Sequence, residues 1–125
     1  MKKKVLIILA LSLIIGGALV AVVKAQQPAN ERANVRFNEL VRLRDVFLRG
    51  DYVFVHDEEK MANGEDCTWV YDTQGKFVTS FHCTPVDRPI SESFKVVVSP
   101  RTNAFDLPVV REIQFAGSTE GHQVP

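Results

Sequence analysis

The chain has only two cysteines, Cys67 and Cys83, and neither lies near the apolar run at its start. A lipid-modified cysteine anchor is therefore not expected. If the domain is exported, its two cysteines predict one disulfide, because the space outside the cytoplasm is oxidising. The cysteines are 16 positions apart. Closing a loop of that length stabilises a fold by roughly 3 kcal/mol in the chain-entropy description.

The chain also lacks an excess of basic charge, since it has 15 basic and 15 acidic residues. Residues 1–25 hold four of the lysines and no acid, so the remainder carries 11 basic and 15 acidic residues, a net charge of −4. No basic patch stands out. Nucleic acid is therefore not an expected partner, and neither is an anionic membrane surface.

A basic start, an apolar middle and a small residue at the end make residues 1–25 typical of an export signal. The uncharged run Val5–Val23 would span roughly 28 Å as a helix, about the thickness of a hydrocarbon core. Two outcomes stay open: cleavage after Ala25, or retention as a signal anchor. Either way Lys2–Lys4 remain in the cytoplasm and the domain lies outside. We expect a periplasmic, secreted or membrane-anchored protein that meets the membrane only through this segment, if uncleaved.

The rest of the sequence predicts a polar tether over 26–33, a β domain over 34–116 and a flexible tail over 117–125. Val35 and Phe37 alternate with Arg36 and Asn38, which indicates a strand with one apolar face. An amphipathic helix over the same stretch, ended by Gly50, is the alternative. Several short strands between turn signals predict an all-β fold, a small antiparallel β-sandwich or open barrel with one disulfide, after an N-terminal apolar signal helix.

Two of the turns predicted inside this domain join neighbouring strands into hairpins. The first is Arg49-Gly50-Asp51, between two apolar runs. The second closes a hairpin of 67–71 with 77–83, in a register that sets Cys67 opposite Cys83. That register puts four aromatic side chains on the core face: Trp69, Tyr71, Phe77 and Phe81. A tighter turn would shift the register and make the bridge diagonal.

Three stretches of the chain carry a loose resemblance: Val35-Arg36-Phe37-Asn38-Glu39, Gly50-Asp51-Tyr52-Val53-Phe54, and a tail containing Gly117, Gly121 and His122. With this layout the chain resembles small exported bacterial β-sandwich proteins of uncharacterised function. The resemblance implies the fold and export. It implies no activity, cofactor or catalytic residue.

The residues that suggest metal binding are His56 and the acidic side chains around it. A site that joins two of the three histidines, His56, His82 and His122, to Asp57 or Glu58 would suit copper or zinc, and clustered carboxylates suit calcium. The candidate ligands are His56, Asp57, Glu58, Glu65 and Asp66. A zinc site on the cysteines is not expected, because structural zinc favours closely spaced cysteine pairs and His82 would point away from Cys83.

The chain has no recognisable catalytic constellation. The stretch Gly117–Gly121 has Thr119 where a nucleophile elbow needs serine. We therefore expect no catalytic residue and no cofactor. The first hypothesis is a non-catalytic envelope module that is structural or binds an unknown protein or envelope partner. The alternative is a small exported protein that binds Ca, Cu or Zn, and a hydrolase-type enzyme comes last.

Overall fold

A computed structural model describes residues 30–125 of the chain. The predicted export signal over 1–25 and the first part of the tether, 26–29, lie outside the described residues. The elements, in chain order, are strands β1 (Asn30–Leu43) and β2 (Val46–Asp57), helix α1 (Glu58–Ala62), and strands β3 (Thr68–Asp72), β4 (Phe77–Phe81), β5 (Thr84–Asp87), β6 (Lys95–Val98), β7 (Val110–Gln114) and β8 (Glu120–Gln123). No helix within 30–125 is long and apolar enough to cross a membrane.

The strands form two antiparallel sheets of four strands each. The first sheet has the order β1-β2-β3-β4, and the second has the order β5-β8-β7-β6. The chain passes from one to the other through residues 82 and 83, between β4 and β5. A short parallel bridge between Arg42 and Val109 also links them. The predicted all-β class with one disulfide is confirmed.

The first hairpin confirms strands rather than a helix over residues 30–48. Its turn was misplaced, however: β1 and β2 are joined at Arg44 and Asp45, with Leu43 paired to Val46. Arg44 takes a left-handed backbone with φ of 52°. Gly50 instead lies within β2 with φ of 91°, where the pairing shifts by two residues. A shift by two keeps every side chain on its original face, so the alternation survives.

Both sheets contribute side chains to one hydrophobic core. From the first sheet come Leu43, Leu48, Phe54 and Val70, and from the second come Val110 and Ile113, all at most 1% exposed. Phe115 and the two cysteines, which lie outside the strands, belong to the same core. Burial of these groups is the main favourable term in folding.

The second hairpin has a different register from the predicted one. Asp72 N donates to Lys76 O at 2.9 Å, which is the tighter turn. A further one-residue irregularity follows between Val70 and Tyr71. A one-residue slip reverses the faces, so Thr68 and Val70 point inward with Phe81. The predicted core positions of Trp69, Tyr71 and Phe77 are therefore wrong: the first two are only partly buried and Phe77 is 54% exposed.

The predicted tether and tail are both partly strand. Residues 30–33 belong to β1, where Glu31 pairs with His56. Residues 120–123 form β8, which lies between β5 and β7 and is a central strand. Gly121 and His122 are buried there. The sequence Glu-Gly-His-Gln has no apolar side chain, so no alternation marked it as a strand.

A partly buried ion pair lies on the second sheet beside β8. Arg88 donates two hydrogen bonds to Glu112, at 2.9 and 2.7 Å. The Glu112 residue is 7% exposed. The hydrogen bonds from Arg88 hold the pKa of the Glu112 carboxyl below its usual value, against the opposing effect of burial. A Cβ on Gly121 would lie 2.7 Å from Glu112 Oε2 and 3.0 Å from Arg88 Cγ. Glycine at this position therefore leaves room for the pair.

We predict that Gly121→Ala lowers the free energy of unfolding by about 1–3 kcal/mol, because the added methyl group overpacks the ion pair. Thermal unfolding followed by circular dichroism measures the effect. Gln123→Ala, at an exposed position of the same strand, is the control and should change stability little. Equal melting temperatures for the two variants would show that the space over Gly121 is not restricted.

The ion pair also predicts a pH dependence. A carboxyl whose pKa is lowered by folding adds stability above its unfolded pKa, about 4.5, and loses that stability as the pH falls through the folded value. We expect Glu112→Gln to lower the melting temperature at pH 7. Below pH 4.5 the melting temperature of the variant should decrease less than that of wild type. If the melting temperatures of wild type and variant fell by the same amount between pH 7 and the acidic range, protonation of Glu112 would not be a cause of the loss of stability.

Candidate metal centre

Four buried side chains converge where the chain passes between the sheets. His56 lies near the end of β2, Cys67 just before β3, Cys83 between β4 and β5, and His122 in β8. Their exposed fractions are 0%, 0%, 3% and 0%. One ligand-type atom of each residue lies within 4.8 Å of those of the other three. We call this group the His/Cys cluster.

The two histidines stack on each other across the two sheets. Their ring centroids are 4.2 Å apart and the ring planes are inclined by 32°. Phe115 packs beside both rings, with centroid distances of 5.8 Å to His56 and 6.3 Å to His122. Both imidazoles are fully buried, so bulk water does not reach them.

One ring nitrogen of His56 has a hydrogen-bond partner, and the other has none within the described residues. Its Nε2 lies 3.0 Å from Glu58 Oε1, at the start of helix α1. A carboxylate only accepts hydrogen bonds, so Nε2 carries the proton in the neutral ring and Nδ1 keeps its lone pair. This Nδ1 is buried and has no hydrogen-bond partner among residues 30–125.

His122 is buried with neither ring nitrogen hydrogen-bonded to any group of the described chain. Glu120 Oε1 approaches Nδ1 to 3.5 Å, but without hydrogen-bond geometry. Burial, with a smaller effect from His56, lowers the pKa of the His122 imidazole to about 4. The ring is therefore neutral at pH 7 and has a lone pair to offer.

Three carboxylates surround the histidine pair from the side of β1, α1 and β8. Glu31, His56 and Glu58 place one ligand-type atom each within 4.8 Å of one another. Burial raises the pKa of the Glu31 carboxyl, and Glu58 and Glu120 raise it further while His56 opposes them. Burial and then Glu58 likewise raise the pKa of Glu120. Crowded negative charge of this kind favours a cation nearby.

The cysteines form the predicted disulfide, with their Cα atoms 5.8 Å apart. Backbone bonds fix Cys67 on both sides: its N–H donates to Phe81 O at 3.0 Å, and its carbonyl accepts from Asp57 N at 2.8 Å. The Thr68 hydroxyl lies 3.1 Å from Cys67 Sγ and 3.4 Å from Cys83 Sγ. The bridge thus joins the first sheet to the segment that enters the second.

Only part of the predicted ligand set comes together. His56 and Glu58 meet as expected, but Asp57 caps helix α1 by accepting from Lys60 N at 3.1 Å. Asp66 accepts from Ser80 Oγ at 2.6 Å, and Glu65 is exposed. Sequence reasoning missed Glu31, Glu120 and the cysteines as neighbours of His56, and it did not distinguish His122 from His82 as the second histidine. Linear spacing gave no signal for them, because each lies on a different strand or connection.

Comparison with known proteins gave no relative: the chain matches no protein family, no curated protein and no solved structure.

We predict that Cys67→Ala/Cys83→Ala lowers the free energy of unfolding by roughly 3 kcal/mol under oxidising conditions, since the bridge no longer restricts the unfolded chain. Thermal unfolding in the presence of a chelator measures this loss. Wild-type protein treated with reductant is the matched control and should melt near the variant. A melting temperature equal to that of oxidised wild type would argue against a stabilising bridge.

Proposed function

We propose that this domain is a metal-binding module that holds one transition-metal ion at His56 and His122. The observation that carries the proposal is His122, a fully buried neutral imidazole whose two nitrogens have no partner within the described chain. Buried polar atoms are nearly always hydrogen-bonded or bound to something, because leaving them bare costs about 1–3 kcal/mol each. An ion coordinated by imidazole nitrogen would satisfy this group.

The surroundings of His56 favour the same conclusion. Metal-binding histidines usually donate their second ring N–H to a carboxylate, which fixes the tautomer and makes the ligand nitrogen more basic. Glu58 stands in that position at 3.0 Å from Nε2. This leaves Nδ1 of His56 without a partner, and one ring nitrogen of His56 lies within 4.8 Å of one of His122. The carboxylates of Glu31 and Glu120 would offset the charge of a bound cation.

The donor set selects the class of metal. Imidazole nitrogen suits zinc, copper and nickel, whereas calcium takes six to eight oxygen ligands. The acidic residues proposed for calcium from the sequence are spread over a helix cap, a serine contact and an exposed loop. We therefore propose zinc or copper and do not extend the proposal to calcium.

The export of the domain is also a proposal. A disulfide supports it, because such bridges persist in oxidising compartments outside the cytoplasm. A sandwich architecture for the two sheets is proposed in the same sense, supported by the core that both sheets share. The envelope interaction or structural module expected from the sequence stays a prediction, as does the absence of catalysis.

Calorimetric titration of the oxidised, chelator-treated protein with Zn²⁺ tests the function. We expect one ion per chain and, for His122→Phe, at least about 100-fold weaker binding, because even a partner outside the ligand shell contributes 10–100-fold. Phenylalanine keeps a ring in the cavity, so the fold is preserved.

The chain offers a matched control in His82, which is exposed on the segment between β4 and β5. His82→Phe should bind Zn²⁺ as wild type does. Equal affinities for His122→Phe and wild type would overturn the proposed function, and near-ultraviolet circular dichroism would verify that each variant is folded.

A further inference from the structure

The disulfide sulfurs lie among the atoms that would bind the metal. Cys67 and Cys83 each place Sγ within 4.8 Å of a ring nitrogen of His56 and His122. A disulfide sulfur carries no thiolate charge, and the thiolate is the form that binds metals. In the oxidised protein only the two imidazoles can therefore bind a metal, because the two sulfurs are bonded to each other.

We propose that Cys67 and Cys83 are redox-controlled ligands, which upon reduction join His56 and His122 in a four-coordinate Cys2His2 zinc site. This inference rests on the proposed function and adds to it the metal class and its regulation. Two thiolates and two imidazoles are a standard tetrahedral zinc ligand set. The linear spacing of the cysteines hides it, because the folded sheets and not a short motif bring the ligands together.

The chemistry of the switch balances with a dithiol reductant, such as a thioredoxin-type protein of the same compartment. Its thiolate attacks one sulfur, the Cys67–Cys83 bond breaks, and two electrons and two protons convert the bridge to two thiols while the reductant becomes a disulfide. Zn²⁺ then displaces the two thiol protons to solvent. The resulting site has two thiolates against a divalent ion and is neutral, which suits its burial.

The geometry accommodates both states with a small movement. A disulfide holds its sulfurs about 2.0 Å apart, whereas two thiolates at about 2.3 Å from one tetrahedral ion stand about 3.8 Å apart. Side-chain rotation about the fixed backbones of Cys67 and Cys83 can supply the difference. The Thr68 hydroxyl, 3.1 and 3.4 Å from the two sulfurs, can donate to a thiolate and so support the metal-bound form.

The test uses Co²⁺ as a spectroscopic probe and Zn²⁺ as competitor, on the whole protein in its oxidised and reduced forms. The reductant is a phosphine, which takes oxygen from water as it reduces the bridge. We expect reduced wild type to show sulfur-to-cobalt charge-transfer absorption, to lose it when Zn²⁺ is added, and to bind Zn²⁺ at least about 100-fold more tightly than the oxidised form.

The double variant Cys67→Ser/Cys83→Ser should show no charge-transfer band with or without phosphine. Its binding of Zn²⁺ should match that of oxidised wild type. Because the wild-type comparison needs no substitution, the proposal can be tested even if this variant unfolds.

The possible results separate the two proposals. Zn²⁺ binding that depends on His122 but is equally strong in both redox forms would overturn the redox-controlled ligands and leave the proposed function standing. Absence of binding in both forms would overturn both. Tight, sulfur-dependent binding after reduction alone would uphold the Cys2His2 site and overturn the proposed binding of an ion by the oxidised protein.

Discussion

The connection between the sheets at Cys67 and Cys83 is the constraint on which the rest of the structure depends. The bridge joins the start of β3 to the segment that leads into β5, so it fixes where the second sheet begins relative to the first. Its position next to the stacked His56 and His122 means that the same point also fixes the candidate site. In a small domain with a limited core, such a bridge supplies a large share of the free energy of unfolding. Structural stability and metal chemistry would therefore compete for the same two sulfurs.

Fold class could be predicted from the sequence because it depends on local patterns. The alternation of Val35 and Phe37 with Arg36 identified a strand, and two cysteines that follow a predicted export signal identified the bridge. The register of β3 with β4 could not be predicted. The turn at Asp72–Lys76 and the irregularity beside Tyr71 together shift the pairing by one residue, so the side chains of β3 face the opposite side of the sheet from the predicted one. The strand at Glu120–Gln123 was missed because its pairing on both edges, not apolar alternation, makes it a strand.

The candidate site was predictable only in part for the same reason. His56 and Glu58 are two positions apart, so their contact follows from local geometry at the end of β2. His122 reaches them through the topology of the second sheet, which no spacing in the sequence reveals. Asp57, Glu65 and Asp66 were chosen for nearness in sequence, and local bonds to Lys60 and Ser80 direct two of them elsewhere. A buried histidine with two bare nitrogens is visible only once the chain is folded.

The most direct test of the central claim, that the buried histidine pair binds a metal, is a long-range ¹H–¹⁵N correlation spectrum of the imidazoles. Spectra would be recorded for metal-free protein and after one equivalent of Zn²⁺. We expect metal binding by this pair to cause large ¹⁵N shifts at Nδ1 of His56 and at one nitrogen of His122, while the resonances of exposed His82 stay in place. Shifts confined to His82, or unchanged spectra for all three histidines in both redox forms, would contradict it.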